Sequence, residues 1–162
     1  YEYRARSTHG HARDFLTVGS MGHASQIAMG IALAQPGRQV FCLDGDGAML
    51  MHMGSAAIVG AAKVENFKHV IFNNGVHDSV GGMATAGLSV SFTQIATGCG
   101  YSAAWRVERI EEMAGKMADL RAARGPALLE ILVKQGARAD LGRPRTSPIE
   151  NKAAFADFLS AS

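Results

Sequence analysis

Two clusters of polar, oxygen-bearing side chains follow two apolar runs. Asp44-Gly45-Asp46-Gly47 comes after Val40-Phe41-Cys42-Leu43, and Asn73-Asn74 comes after His69-Val70-Ile71-Phe72. Between them Ala48 to Lys63 is helix-like, so the stretch reads as strand, glycine turn, helix, strand. In an open parallel sheet, ligands bind beyond the carboxyl ends of the strands. Asp46 and Asn74, 28 positions apart, are therefore expected to meet. The N–H groups of Gly47, Ala48 and Met49 are orphan donors at a helix start, a natural phosphate site. A carboxylate there opposes a phosphate unless a cation joins them. Mg²⁺ does so with one or two carboxylates, an amide or carbonyl oxygen, water and phosphate oxygens. The expected site is a diphosphate held through Mg²⁺ by Asp46 and the Asn74 amide oxygen.

Each cluster alone is an ordinary turn or strand end; the pairing at two successive strand ends carries the inference. Other phosphate motifs fail. Gly45-x-Gly47-x-x lands on Leu50, so a GxGxxG pattern lacks its third glycine, and no GxxxxGK[ST] occurs.

These residues need a scaffold. Asp14-Phe15-Leu16-Thr17-Val18 is a short apolar segment leading to the turn Gly19-Ser20-Met21-Gly22. His23 to Gln35 reads as a helix of small residues, expected to be buried, ended by Pro36-Gly37. The Val40–Leu43 run lacks alternation, which suits a strand covered on both faces. Met49, Met51 and Met53 cannot all face one way on a helix, and core packing is the default for such residues. Gly75 to Ser91 is a glycine-rich loop, the kind that often carries function. Ser91 is a plausible cap for a short helix through Ala96. Ala103 to Val107 is a strand candidate. Glu108 to Arg124 is an amphipathic helix with Ile110, Met113, Met117 and Leu120 on one stripe. Pro126 to Val133 is a final strand, and a last helix covers about Glu150 to Leu159. Strands alternating with helices imply an α/β domain: a mainly parallel sheet with helices on both faces.

Composition narrows the function. The chain of 162 residues is the size of one domain, taken as 1–162 with a tail and last helix over 134–162. Charge is nearly balanced, 16 basic against 14 acidic residues, without a basic stripe before the tail, so nucleic acid is not the expected partner. No apolar run reaches the length of a membrane span. Cys42 and Cys99 read as reduced packing residues of a cytoplasmic protein, not as a disulfide or a zinc site. His9 and His11 lie in a polar, basic lead-in with no acidic or cysteine partner nearby. The start at Tyr1 reads as a fragment or one piece of a larger enzyme.

GDG, a spacer near 28 residues, then NN is the signature of thiamine diphosphate (TPP) enzymes. DFLTVGSMGHASQIAMGIALAQP, FCLDGDGAMLMHMG and NNGVHDSVGG resemble the C-terminal, diphosphate-binding half of the phosphonopyruvate decarboxylase family, with sulfopyruvate decarboxylases next nearest. The resemblance covers the chain from about Asp14 to the LGRP…SP segment. It implies the thiamin diphosphate-binding fold and TPP with Mg²⁺ as cofactors. Asp46, the Asn74 side chain and the Val76 carbonyl are then the metal ligands. The cofactor-binding residues are Gly19, Ser20, Met21, Gly45, Asp46, Gly47, Ala48, Asn74 and Val76. Gly19 would accept a hydrogen bond from the aminopyrimidine. Met21 would donate its N–H to the pyrimidine and wedge its side chain beneath the cofactor, bending it so that the amino group meets the thiazolium C2–H. TPP would then act as an electron sink as CO₂ departs.

The implied activity is decarboxylation of a 2-oxo acid, 3-phosphonopyruvate to phosphonoacetaldehyde. The alternatives are the β-type subunit of a sulfopyruvate decarboxylase, or a non-catalytic TPP-binding domain. No glutamate here matches the family's activating glutamate. It is expected from a pyrimidine-binding domain or α-type subunit across an interface, in a homo- or hetero-oligomer, leaving this chain inactive alone. Met21 and His77 are the catalytic candidates. His77, Asp78 and Ser79 stand where a substrate would be met, or order the loop. Relatives commonly continue as GGQPT, whereas this chain has Gly81-Gly82-Met83-Ala84-Thr85, which leaves the substrate open. Arg143 and Arg145 would either neutralise an anionic substrate or form a solvated basic face.

Overall fold

Four apolar runs pair side by side and all point the same way. The computed structural model describes residues 13–140 and 144–161, so His9, His11 and Arg143 lie outside the described residues. The strands are β1 (Val40–Gly45), β2 (Phe67–Asn73), β5 (Ala103–Val107) and β6 (Ala127–Leu132), in the order β1-β2-β6-β5. All three pairings are parallel. A two-stranded antiparallel ribbon, β3 (Val76–His77) with β4 (Met83–Ala84), stands apart in the loop after β2. The helices are α1 (Ala24–Ala34), α2 (Asp46–Met51), α3 (Gly54–Ala62), α4 (Phe92–Gly98), α5 (Ile110–Ala122) and α6 (Pro148–Ser160). The expected α/β architecture is present.

The described residues fall into two compact units. Met21–Gly136 holds the sheet. One core, under α1, α3 and α4, contains Phe67, Ile71, Val59, Phe92 and Leu128. The other, under α5, contains Val70, Val107, Leu120, Leu129 and Ile131. Alternate residues of β6 thus enter opposite cores, as a strand covered on both faces requires. Each fully buried Phe or Leu contributes about 1.5–3 kcal/mol.

The other unit joins the described residues 13–20 to 137–140 and 144–161. Leu16 donates its N–H to Asn151 Oδ1 at 2.9 Å, and the Phe15 and Phe155 rings lie 5.5 Å apart. Ser147 caps α6 in a reciprocal box: its Oγ accepts from Glu150 N at 3.2 Å, while Glu150 Oε2 accepts from Ser147 N at 2.8 Å. Those hydrogen bonds from Ser147 hold the Glu150 carboxyl below the usual carboxylate range.

Four expectations need correction. The helix expected over Ala48–Lys63 is two helices, broken at His52-Met53, and the first starts at Asp46. β1 is not covered on both faces: Cys42 and Asp44 are buried while Phe41 and Leu43 are exposed, Leu43 by half. The helix on that face, α5, packs on β5 and β6 instead. α1 buries only Ser25, Ala28 and Ala32, and its large residues Ile27 and Leu33 face outward. Among the methionines Met49 is core, but Met51 and Met53 are exposed; Ile110, at the start of α5, is also exposed. An apolar run marks a strand or helix without saying which faces find cover. No helix among the described residues is long and apolar enough to cross a membrane.

Candidate functional site

Strand register brings the two polar clusters together. Gly45, the last residue of β1, lies opposite Phe72 of β2. The chain therefore leaves both strands at one level, with Asp46 opening α2 and Asn73-Asn74 ending β2. Asp46 is 2% exposed, and Thr85 Oγ1 donates a short hydrogen bond to its Oδ2. The backbone of Gly87 presses on the same carboxylate. A Cβ there would fall 2.3 Å from Asp46 Oδ2 and 2.8 Å from Asn73 Oδ1, so only glycine fits.

The two asparagines divide the work. Asn73 is buried and fully engaged. Its Nδ2 donates to the Gly87 carbonyl and to Glu130 Oε1, both at 2.8 Å, and its Oδ1 accepts from Gly75 N at 3.1 Å. Asn74 is half-buried. Its Nδ2 donates to Asp78 Oδ2 at 2.7 Å, and its Oδ1 accepts from Val76 N at 3.1 Å. The carboxylate of Asp78 thereby fixes which way the amide points. A carbonyl oxygen has two lone pairs, so one remains for a cation. Asp78 Oδ2 also accepts from Gly136 N at 3.3 Å. Its observed contacts order the loop. Thr85 N donates to the Gly75 carbonyl at 2.9 Å and closes the ribbon that carries Val76 and His77.

The first turn of α2 is closely lined. The His77 ring lies on Gly47, where a Cβ would sit 2.3 Å from its Cε1. Gly22, at φ +90°, packs on the far side of that turn, its Cβ position 2.6 Å from both the Ala48 carbonyl and His52 Nδ1. Met21-Gly22 therefore lies against α2, with the Met21 side chain part-exposed. The His23 and His52 rings are 4.0 Å apart, and His52 Nδ1 has no hydrogen-bond partner among the described residues. Gly19, at φ +85°, and Ser20 belong to the other unit, as does the exposed Arg145. Ser79 is exposed.

The donors expected from the sequence are all oxygens: the Asp46 carboxylate, the Asn74 amide and the Val76 carbonyl. Hard oxygen ligands of this kind suit Mg²⁺. The glycines at 22, 47 and 87 let their protein neighbours approach closely, where any side chain would collide with them. In donor chemistry alone, the residues present fit a Mg²⁺–diphosphate group. A cleft of about 560 Å³ lies elsewhere, at the amino ends of β1 and β2, lined by Gln39, Glu65, Asn66, Lys68 and Arg124 among others. Among its charged residues, Arg124 pairs with Glu65, and Lys68 Nζ donates to the Glu65 and Ala123 carbonyls. It is the wrong end of the sheet for the expected ligand.

Comparison with known proteins decides the family. The thiamine pyrophosphate enzyme C-terminal TPP-binding domain matches residues 2–131. The chain belongs to this family. Within the TPP enzymes it is 38% identical over 146 residues to a phosphonopyruvate decarboxylase of Streptomyces viridochromogenes, covering 90% of this chain and 36% of the relative. It is 39% identical over 89 residues to the sulfopyruvate decarboxylase subunit beta of Methanocaldococcus jannaschii, covering 54% and 47%. The chain therefore spans only about a third to a half of the curated relatives' length. A solved thiamin diphosphate-dependent enzyme of Mycobacterium smegmatis superposes with a TM-score of 0.58 at 22% identity, covering 72% of this chain and 23% of that one, a likeness of fold.

Sequence reasoning missed Asn73, Thr85, Gly87 and Glu130 of this TPP-binding domain. One signal was present. Glu130 is a lone carboxylate in the apolar run Ala127–Leu132, and a buried charge is retained only with a partner.

Proposed function

We propose that this chain is the diphosphate- and Mg²⁺-binding half of a TPP-dependent 2-oxo acid decarboxylase that acts on 3-phosphonopyruvate. The observation that carries the reading is the β1–β2 register, which puts Asp46 and the Asn73-Asn74 pair at adjacent strand ends. Similarity to phosphonopyruvate decarboxylases over 90% of the chain supports the substrate.

Asp46, Asn74 and the Val76 carbonyl would hold Mg²⁺. Bound TPP supplies an electron sink for the electron pair left when CO₂ leaves. The N–H groups of Gly47 and Ala48 would meet diphosphate oxygens; α2 has six residues, so local donors carry this contact rather than a long helix dipole. Met21 presents its side chain beside α2, and Gly22 lets that turn approach Ala48. His77 is held over Gly47 by the ribbon, at the entrance to the first turn. Thr85, Gly87, Asn73 and Glu130 keep Asp46 in place.

The activating glutamate comes from a pyrimidine-binding domain or partner subunit. The completed enzyme should turn over 3-phosphonopyruvate, while the 162-residue chain alone shows no decarboxylase activity. Robust turnover by the chain alone contradicts the half-site reading. A second reading, the β-type subunit of a sulfopyruvate decarboxylase, has its own support in the archaeal relative. Parallel assays of both oxo acids on the completed enzyme separate the two.

A further inference from the structure

A second cluster of ligand side chains lies inside the sheet, away from solvent. Cys42 and His69 are direct partners across β1 and β2. Asp44 is two residues beyond Cys42 and so shares its face. All three are buried, His69 completely. One ligand atom from each lies within 4.8 Å of the others. His69 Nε2 and Asp44 Oδ2 are 3.5 Å apart, yet neither makes a hydrogen bond among the described residues. They lie at ion-pair distance without forming a hydrogen bond, which leaves both buried atoms poorly satisfied. The other ring nitrogen, His69 Nδ1, is held by the Tyr101 hydroxyl at 3.2 Å.

We propose that Cys42, Asp44 and His69 form a zinc site with three protein ligands, separate from the Asp46–Asn74 site. Sulfur, nitrogen and carboxylate oxygen are the donors zinc takes, with water in the fourth position. Ligand bonds of about 2.0–2.3 Å place such atoms about 3.5 Å apart, so the cluster, whose ligand atoms lie within 4.8 Å of one another, would draw in by up to about 1.3 Å around the ion. Charge also closes: one thiolate, one carboxylate and a neutral imidazole balance Zn²⁺, leaving no net charge in the core. Binding forms the Zn–S bond and releases the thiol proton to solvent. Tyr101 is the outer partner that fixes the His69 ring. Cys42, a free, buried core residue, thereby gains a ligand role. The zinc would tie β1 to β2 just before Asp46.

The test uses the full-length polypeptide, zinc analysis after desalting in excess Mg²⁺, and Co²⁺ substitution. Wild type and Asp46→Ala should each keep about one zinc per chain. The cobalt form should show a thiolate charge-transfer band that survives Cys99→Ser. Cys42→Ser should lose the zinc and the band, and Tyr101→Phe should weaken zinc by about 10–100-fold. Equal zinc in wild type and Cys42→Ser overturns the site. If that variant does not fold, the wild-type cobalt spectrum decides: without a thiolate band, or with one that disappears in Cys99→Ser, the proposal fails.

Discussion

Asn73 donates its amide to the Glu130 carboxylate at 2.8 Å, with both residues sealed from solvent. This pair links the middle of the sheet to the loop that covers Asp46. Through its other contacts Asn73 holds the Gly87 carbonyl and the Gly75 N–H. The asparagine in the last position of β2 is therefore the clamp, and the next one is the proposed ligand.

Removing the clamp's anchor should loosen the site from a distance. Glu130→Ala leaves a buried donor of Asn73 unpaired, at a cost of about 1–3 kcal/mol. Urea denaturation should show that loss, and a TPP–Mg²⁺ titration should show weaker binding. Glu130→Gln retains an acceptor oxygen and should lose less in both measurements. Equal losses for the two variants would mean that the hydrogen bond is not what matters.

Gly87→Ala should damage cofactor binding more than any other single-methyl change. Its Cβ must displace the Asp46 carboxylate. A titration of TPP with Mg²⁺ should show at least about a tenfold loss, equivalent to 1.4 kcal/mol. Gly115→Ala is the contrast. It lies within α5, where a Cβ meets nothing within 4 Å. Thermal unfolding should find it more stable by about 0.5–1 kcal/mol, with binding unchanged.

Gly60 of α3 meets the turn after α4, where a Cβ would come 1.8 Å from the Cys99 carbonyl. Gly60→Ala should destabilise the sheet unit by about 1–3 kcal/mol through overpacking. Denaturant midpoints would show it; an unchanged midpoint would mean the two elements separate freely.

Acid should loosen the cap of α6. Glu150 has a depressed folded-state pKa because Ser147 donates to it. Its contribution is present above the unfolded carboxyl value, about 4.3. It is lost as pH falls through the lower folded value. Amide exchange in α6 should rise across that window, and Glu150→Gln should remove this pH dependence. An identical acid response in wild type and variant would count against the box.

The strands, the glycine turn and the meeting of the β1 and β2 ends were legible because each has a local signal: an apolar run, Gly-Asp-Gly, and polar residues at a strand end. The break at His52-Met53 was not, because residues 48–63 show no proline and look uniformly helical. Exposure of Phe41, Leu43 and Ile27 depends on what covers a face, which periodicity alone does not report. Asn73, Thr85 and Gly87 took their places only once the chain after β2 folded back onto Asp46. Cys42 and His69 stand 27 positions apart and meet through strand register. Each looked like packing when read singly.

The most direct measurement is thermal unfolding of the chain with TPP and Mg²⁺ together, with Mg²⁺ alone, and with neither. Saturating cofactor at about 100 times its Kd should stabilise the native state by about 2.7 kcal/mol, raising the Tm, whereas Mg²⁺ alone should leave it unchanged. Asp46→Ala should abolish the rise. A cofactor-dependent rise that survives in Asp46→Ala would contradict the assignment of Asp46 as the residue that holds the metal.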